Sequence, residues 1–196
     1  LNVYAEEILA VILAKHHGVP VRWTEERSEA ASSTIQGRGQ VQDIELAADA
    51  DGRVTAVRAK LLADMEAYLQ LVTPGIPLLG AFLYHGVYDI PAYSFTCQGL
   101  FTNLPPTDAY RGAGRPEASY AIERAMDALA REIGVTPEEI RRRNYIPTDA
   151  FPYDSPAGLV FDSGDYEPTL DRALELANVT DLRAEQQRLR DEGSST

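Results

Sequence analysis

Hydrophobic side chains recur at helical spacing in five stretches of the chain. Such apolar stripes let a helix bury one face and leave the other face in water. The first stripe follows a candidate N-cap, Asn2, and ends at Gly18, a residue suited to the left-handed conformation that closes helices. The second ends in the same way at Gly134, and Thr136 begins a capping box for the third. The predicted helices span residues 2–17, 118–133, 136–144, 167–177 and 181–192.

Alternating apolar and polar positions predict four strands, over residues 19–26, 41–47, 54–63 and 93–102. Asp49 and Gly52 lie in the turn of a predicted hairpin between the second and third strands. The segments 28–40, 73–77 and 147–165 are rich in Gly, Pro, Ser or Gln and are predicted to be loops. The sequence therefore predicts an α+β (mixed α/β) fold.

Composition narrows the classes of function. The 196 residues suffice for one domain with a sizeable core, and a net charge of −12 argues against nucleic acid or an anionic membrane as partner. No apolar run reaches membrane-spanning length. A single cysteine, Cys97, excludes an intrachain disulfide framework and fits a reducing compartment, so we expect a cytoplasmic protein. No thiolate pair or histidine spacing typical of a metal site occurs, so no metal ligand is predicted.

The loop at residues 108–118 is the candidate site. Gly112 and Gly114 allow positive φ angles and close approach of a ligand, and Pro116 suits the first turn of the following helix. A loop that leads into a helix N-terminus presents unpaired N–H groups, which together with Arg111 and Arg115 suit an anion such as a phosphate. The alternative is an ordinary turn. The loop is neither a Rossmann fingerprint, since the third glycine is missing, nor a P-loop.

The motif Asn-Leu-Pro-Pro-Thr-Asp-Ala-Tyr-Arg-Gly-Ala-Gly-Arg-Pro-Glu-Ala at residues 103–118 resembles the molybdopterin loop in the large subunit of molybdenum hydroxylases. That family includes xanthine dehydrogenases, aldehyde oxidoreductases and aerobic carbon monoxide dehydrogenases. The form Ala-Tyr-Arg-Gly-Ala-Gly-Arg looks most like the second form of carbon monoxide dehydrogenase large subunits. The motifs at residues 21–27, 88–91 and 138–144 follow in the family's order, so the resemblance covers nearly the whole chain.

The resemblance implies a fragment of the first molybdopterin-binding domain. Residues 1–147 would form the core of that domain, and residues 148–196, with 11 acidic and 4 basic side chains, its acidic, loop-rich and helical continuation. A glycine-rich cofactor loop normally precedes the opening helix in this family, and residue 1 begins where that loop would end. The family's catalytic glutamate belongs to a later domain, so no catalytic residue is assigned in this chain.

The resemblance also implies a cofactor and partners. A molybdenum–molybdopterin cofactor, in its cytosine dinucleotide form, would lie against Ala109, Tyr110, Arg111 and Gly112, while Gly112, Ala113 and Gly114 would line the substrate pocket. Such enzymes hydroxylate a small molecule with oxygen derived from water. Electrons then pass to [2Fe–2S] clusters on a small subunit and to FAD on a medium subunit, and the expected assembly is a dimer of heterotrimers.

Departures from the family pattern bear on the substrate. Carbon monoxide dehydrogenases have a copper-ligating Cys where this chain has Gly112, which makes CO oxidation doubtful. Leu79 stands where purine hydroxylases carry a substrate-clamping Arg, and Ala113 where animal-type enzymes often have an aromatic side chain. An aldehyde or N-heterocycle is therefore favoured. True CO oxidation despite Gly112 and a non-catalytic scaffold remain the alternatives.

Three acidic positions admit more than one interpretation. Glu66 replaces the glycine of a family segment that usually reads Asp-x-Gly-Ala-Tyr, and the sequence leaves open whether the backbone compensates. Glu117 and Glu123 invite a general-base role, although a partner for the helix dipole and a solvated helix face are the favoured interpretations.

Overall fold

A computed structural model describes residues 4–193. It contains the predicted mixture of helices and strands, so the α+β fold is confirmed. The helices are α1 (Ala5–His17), α2 (Arg27–Ser33), α3 (Gly75–Ala81), α4 (Arg115–Ile133), α5 (Pro137–Asn144), α6 (Glu167–Leu176) and α7 (Val179–Asp191). The strands are β1 (Gln40–Ala48), β2 (Val54–Glu66), β3 (Ala92–Phe101), β4 (Tyr153–Asp154) and β5 (Val160–Phe161), with one 3₁₀ turn at Thr148–Ala150.

The main sheet has the order β1-β2-β3, and β4 pairs with β5 in a separate antiparallel ribbon. The turn between β1 and β2 is the predicted one, with Gly52 at φ 81°. Along β2 alternate side chains are buried, including Val57, Ala59 and Leu61, as the sequence pattern predicts. Burial of one face of a strand fixes its register, because a slip by one residue would expose the whole apolar set.

The chain divides into two compact units. The first comprises residues up to Glu45 together with Arg58–Tyr84 and Ser94–Ile122, and it contains the candidate loop. The second comprises Leu46–Val57, His85–Tyr93 and the residues from Glu123 onward. The predicted division of the chain after residue 147 stays a prediction.

The second unit is organised around polar contacts of α5. The Thr136 hydroxyl caps this helix by accepting a hydrogen bond from the Glu139 N–H at 3.2 Å. At the other end of α5 the buried Asn144 side chain accepts from the Val54 N–H at 2.7 Å and donates to the Gly52 carbonyl at 2.9 Å. One amide thus satisfies two backbone groups that would otherwise be buried without partners.

Two predicted loops contain helices. Residues 28–40 were predicted to be a loop, but α2 occupies Arg27–Ser33 and begins where the Glu26 N–H donates to the Glu29 carboxylate at 2.8 Å. Residues 73–77 overlap α3, which accommodates Pro77 because a proline in the first turn has no intrahelical N–H partner to lose.

The predicted strand over residues 19–26 is wrong. Residues 21–26 have no regular structure, and both Val21 and Trp23 are exposed. Their alternation satisfies the strand pattern, but no neighbouring strand pairs with them among the described residues. The proposed N-cap Asn2 lies outside the described residues; the helix itself begins at Ala5 and ends at Gly18 with φ 63°.

Residues 147–165 are irregular for most of their length, as predicted, apart from the 3₁₀ turn and the β4–β5 ribbon. Helices α6 and α7 agree with the predicted helices to within a few residues. No helix between residues 4 and 193 is long and apolar enough to cross a membrane.

Candidate functional site

The candidate loop lies between the end of β3 and the start of α4, and its base is tightly fixed. The buried Asp108 carboxylate accepts hydrogen bonds from the Ala109 N–H at 2.7 Å and the Val72 N–H at 3.2 Å. One residue earlier, the Thr73 hydroxyl donates to the Thr107 carbonyl. Several of these groups are buried, so the loop begins from a rigid position.

A second segment, residues 36–38, runs beside the base of the loop. The Gln36 N–H donates to the Pro106 carbonyl at 2.9 Å, and the Asp108 N–H donates back to the Gln36 carbonyl at 3.2 Å. A Cβ on Gly37 would lie 3.1 Å from the Cβ of Tyr110, which is closer than most side chains approach. Glycine at this position therefore lets the two segments lie side by side.

The tip of the loop takes three successive left-handed residues. Gly112, Ala113 and Gly114 have φ angles of 100°, 43° and 88°. A Cβ on Gly114 would lie 2.1 Å from the Ile76 carbonyl oxygen in α3, a contact that no side chain can make. Gly114 is thus buried against α3, while Gly112 and Ala113 are half-buried. The two glycines are needed for the reason that the sequence suggests: positive φ and close approach.

The stretch that leads into the tip, from Tyr110 to Gly112, presents unpaired donors. Within the part of the chain that the structure describes, the backbone N–H groups of Tyr110, Arg111 and Gly112 donate to no other protein group. The Ala113 N–H, by contrast, donates to the Tyr110 carbonyl at 2.8 Å. Arg115 turns back on the loop, donating to the Gly112 carbonyl at 3.3 Å, whereas the Arg111 side chain is exposed. Consecutive free N–H groups suit a polar or anionic group.

Arg38 contacts the candidate loop although it belongs to none of the sequence motifs. Its guanidinium donates to the Arg111 carbonyl at 2.7 Å and to the Glu117 carboxylate at 2.9 Å. Glu117 lies in the first turn of α4, as expected of a partner for the helix dipole, and it also forms a partly buried ion pair with Arg38. Arg38 and Glu117 are 79 residues apart, so no local pattern links them, although the flanking glycines of the Gly-Arg-Gly sequence were a usable signal.

Glu66 keeps the backbone conformation of a glycine. Its φ angle is 58°, and the residue is only 5% exposed. The carboxylate oxygen Oε2 has no hydrogen-bond partner among the described residues. Burial raises the pKa of this carboxyl; the hydrogen bond with Thr107 lowers it, and the nearby Asp64 charge raises it. The backbone thus does not compensate for the loss of glycine.

Three further candidate side chains are Cys97, Glu123 and Asp49. Burial raises the pKa of the Cys97 thiol, which disfavours the nucleophilic thiolate. Glu123 accepts a hydrogen bond from the Tyr88 hydroxyl at 2.8 Å and pairs with Arg141 at 2.6 Å, so its helix face is not simply solvated. The Asp49 carboxylate accepts from the N–H groups of Asp51 and Arg53, as in a turn. Among residues 4–193, no cluster of three or more His, Cys, Asp or Glu side chains could hold a metal ion.

Comparison with known proteins gives the same family as the loop. The sequence profile of the molybdopterin cofactor-binding domain matches residues 1–145. The 6-hydroxypseudooxynicotine dehydrogenase complex subunit gamma of Paenarthrobacter nicotinovorans is 37% identical over 98% of this chain and 25% of its own length. The carbon monoxide dehydrogenase large chain of Hydrogenophaga pseudoflava is 36% identical over 95% of this chain and 24% of its own length.

Solved structures agree. The crystal structure of quinoline 2-oxidoreductase from Pseudomonas putida 86 superposes with a TM-score of 0.84 and 34% identity, covering 97% of this chain and 25% of that one. The chain thus spans about a quarter of the length of the relatives that it matches. The chain therefore belongs to the molybdopterin cofactor-binding domain family, within the large subunits of molybdenum hydroxylases.

Proposed function

We propose that this chain forms one wall of the molybdopterin site in a molybdenum-dependent oxidoreductase that hydroxylates a small molecule. The observation that carries the proposal is the stretch of residues 110–112, exposed at Tyr110 and Arg111 and half-buried at Gly112. Its three backbone N–H groups donate to no other group of the described chain. The loop fits a polar cofactor, because its donors are unpaired while its base and tip are held by buried contacts.

Each residue of the loop has a proposed role. Ala109, Tyr110, Arg111 and Gly112 lie against the cofactor through their backbone, and the exposed Arg111 side chain adds a cation beside the pterin. Gly112, Ala113 and Gly114 border the substrate, Gly114 doing so from its fixed position against α3. The cofactor, when bound, supplies the redox chemistry and inserts oxygen derived from water. The residues of this chain position the cofactor and the substrate and contribute to the electrostatic field around them.

The substrate that we propose is an N-heterocycle or an aldehyde. Gly112 offers no thiolate for a copper ion, and Ala113 leaves more room than an aromatic side chain would. The similarity to a 6-hydroxypseudooxynicotine dehydrogenase and to quinoline 2-oxidoreductase supports a heterocycle. The similarity to a carbon monoxide dehydrogenase large chain supports CO oxidation as the second candidate. A non-catalytic scaffold is the third, supported by the exposed apolar side chains of α1 such as Ile8 and Val11.

The proposed function also requires partner subunits that carry electrons away from the molybdenum site. The relatives' names describe a large chain and a complex subunit, which supports an assembly with further subunits. We propose an iron–sulfur small subunit, an FAD-binding medium subunit, a dimer of such heterotrimers, the cytosine dinucleotide form of the cofactor and a cytoplasmic location.

Product analysis in isotopically labelled water tests the proposal. The intact protein is incubated with quinoline, with benzaldehyde and with CO in H₂¹⁸O, in the presence of an artificial electron acceptor. We expect ¹⁸O in the product of the heterocycle or the aldehyde and no turnover of CO. Turnover of CO alone would favour the second candidate, and a molybdenum-free protein that turns over none of the three would favour the scaffold.

A further inference from the structure

We propose that Arg38 is a positioning residue that aims the backbone donors of the loop at the cofactor. This inference rests on the proposed function, because it assigns Arg38 a task at the same site. Arg38 lies far from the loop in the sequence and belongs to none of the motifs that carry the family resemblance.

One guanidinium group holds three parts of the site. It donates through one terminal nitrogen to the Arg111 carbonyl at 2.7 Å and through the other to the Glu117 carboxylate in α4 at 2.9 Å. Its central carbon also lies 4.9 Å from the centre of the Tyr110 ring, within the range of a cation–π contact. Arg38 therefore ties the exposed stretch of the loop to the first turn of the helix that follows it.

The contact with the Arg111 carbonyl sets the direction of a donor. A trans peptide unit is planar, so its C=O and N–H groups point in opposite directions. The carbonyl of Arg111 and the N–H of Gly112 belong to the same peptide unit. When Arg38 holds the carbonyl on one side, the Gly112 N–H is directed to the other side, away from the guanidinium. The preceding peptide unit contains the carbonyl of Tyr110 and the N–H of Arg111. Its carbonyl accepts a hydrogen bond from the Ala113 N–H at 2.8 Å, so the Arg111 N–H points away from Ala113.

The burial of the ion pair makes this contact stiff. The Glu117 side chain is 8% exposed and the Arg38 side chain 32% exposed, so the pair is screened less than an ion pair in open water. Two hydrogen bonds from a planar fork to two acceptors also fix the orientation of the group, which a lysine ammonium does not do.

The backbone of Arg38 is held as firmly as its side chain. Its φ angle is 73°, and it stands between two glycines that lie against neighbouring segments. A Cβ on Gly37 would be 3.1 Å from Tyr110, and a Cβ on Gly39 would be 3.2 Å from Asp64. A strained residue persists only where its surroundings determine its conformation, and such residues cluster at functional sites.

The test uses the intact holoenzyme with Arg38→Gln, Arg38→Lys and Glu117→Gln variants. Arg58→Gln serves as the matched control, because Arg58 forms an ion pair with Glu45 in the same unit but is 53% exposed and distant in sequence from the loop. Three quantities are measured: molybdenum and pterin content, the Mo(V) electron paramagnetic resonance spectrum after dithionite reduction, and kcat and KM with quinoline as probe. Hydrogen exchange of residues 109–118 is also measured in cofactor-free protein.

We expect Arg38→Gln and Arg38→Lys to retain cofactor, to change the Mo(V) spectrum and to lower kcat by about 10- to 100-fold, the loss typical of a group displaced by about 1 Å. Exchange of residues 109–118 should be faster in both variants, and the Arg58→Gln control should match the wild type. Glu117→Gln should show a smaller change of the same kind.

Retained cofactor with an unchanged spectrum and unchanged exchange in Arg38→Lys would overturn the inference, as would equal effects of Arg38→Gln and the control. If Arg38→Gln fails to fold, Arg38→Lys still tests the inference. Lysine keeps the positive charge beside Glu117 and loses only the planar guanidinium group that forms two hydrogen bonds. If the wild-type protein contains no molybdenum or pterin, the proposed function fails, and faster exchange in the Arg38 variants would then still report the loop-holding contact by itself.

Discussion

Replacing Glu66 by glycine should stabilise the protein. Glu66 adopts a φ angle of 58°, in the left-handed region, where a residue with a Cβ is strained by roughly 1–2 kcal/mol. Its Oε2 atom is buried without a partner among the described residues, which destabilises the fold by roughly 1–3 kcal/mol. Glycine removes both effects. Glycine is also the residue that the resembled family segment, Asp-x-Gly-Ala-Tyr, has at this position.

One term opposes the gain. The flexibility of glycine in the unfolded chain offsets roughly 0.4–1 kcal/mol. The net expectation is a free energy of unfolding about 1–4 kcal/mol higher for Glu66→Gly than for the wild type. Glu66→Ala removes the carboxylate but keeps the backbone strain, so it should be less stable than Glu66→Gly by about 1 kcal/mol.

Urea unfolding of the intact protein, followed by tryptophan fluorescence and circular dichroism, measures these differences. The pH dependence gives a second check. Because burial raises the folded-state pKa of Glu66, the wild type loses stability relative to Glu66→Gln as the pH rises through and above the ordinary carboxyl value of 4.5. A Glu66→Gly variant no more stable than Glu66→Ala would refute the argument from the backbone. A pH-independent difference between the wild type and Glu66→Gln would refute the argument from the carboxylate.

Three further predictions concern packing and reactivity. Gly114→Ala should prevent folding or lower the free energy of unfolding in urea by more than about 3 kcal/mol, because the added Cβ would lie 2.1 Å from the Ile76 carbonyl oxygen. Gly134→Ala is the control: Gly134 also has a positive φ angle, but nothing lies within 4 Å of an added Cβ. This variant should lose only about 1–2 kcal/mol of the free energy of unfolding. Asn144→Ala should destabilise by about 2–4 kcal/mol in the same assay, since two buried backbone groups lose their partner, and a loss below 1 kcal/mol would contradict that role. Cys97 should react with iodoacetamide more slowly in the folded protein than in urea at the same pH, as mass spectrometry would record; equal rates would contradict the raised pKa of its thiol.

Sequence patterns predicted the elements whose signals are local. The β1–β2 hairpin and the helices from α4 to α7 carry apolar periodicity, turn residues or caps within a few residues of one another, and each was confirmed. The prediction of a strand over residues 19–26 was wrong, because alternation of apolar and polar residues does not by itself supply a neighbouring strand. Helix α2 was missed because its serines favour turns, whereas the Glu26–Glu29 contact that starts it is visible only in the structure.

In the candidate site, too, local features could be predicted from the sequence and contacts between distant residues could not. The positive φ angles of Gly112 and Gly114 follow from the sequence, because glycine is the residue best suited to a positive φ combined with close approach of neighbouring atoms. The Arg38–Glu117 pair does not, because no local pattern links two residues that are 79 positions apart. At Glu66 the sequence identified an unusual residue, but only the backbone φ angle shows that the glycine conformation persists beneath it. The assignments of residues 109–112 to the cofactor and 112–114 to the substrate stay predictions.

The metal content of the intact complex, purified without chelators, tests the proposed site most directly. We expect about one molybdenum and one pterin for each copy of this chain, with copper absent, because Gly112 provides no thiolate to hold a copper ion. A copper-to-molybdenum ratio near one would contradict the argument from Gly112 and restore CO as the substrate. A complex with neither molybdenum nor pterin would contradict the assignment of the loop to a cofactor site.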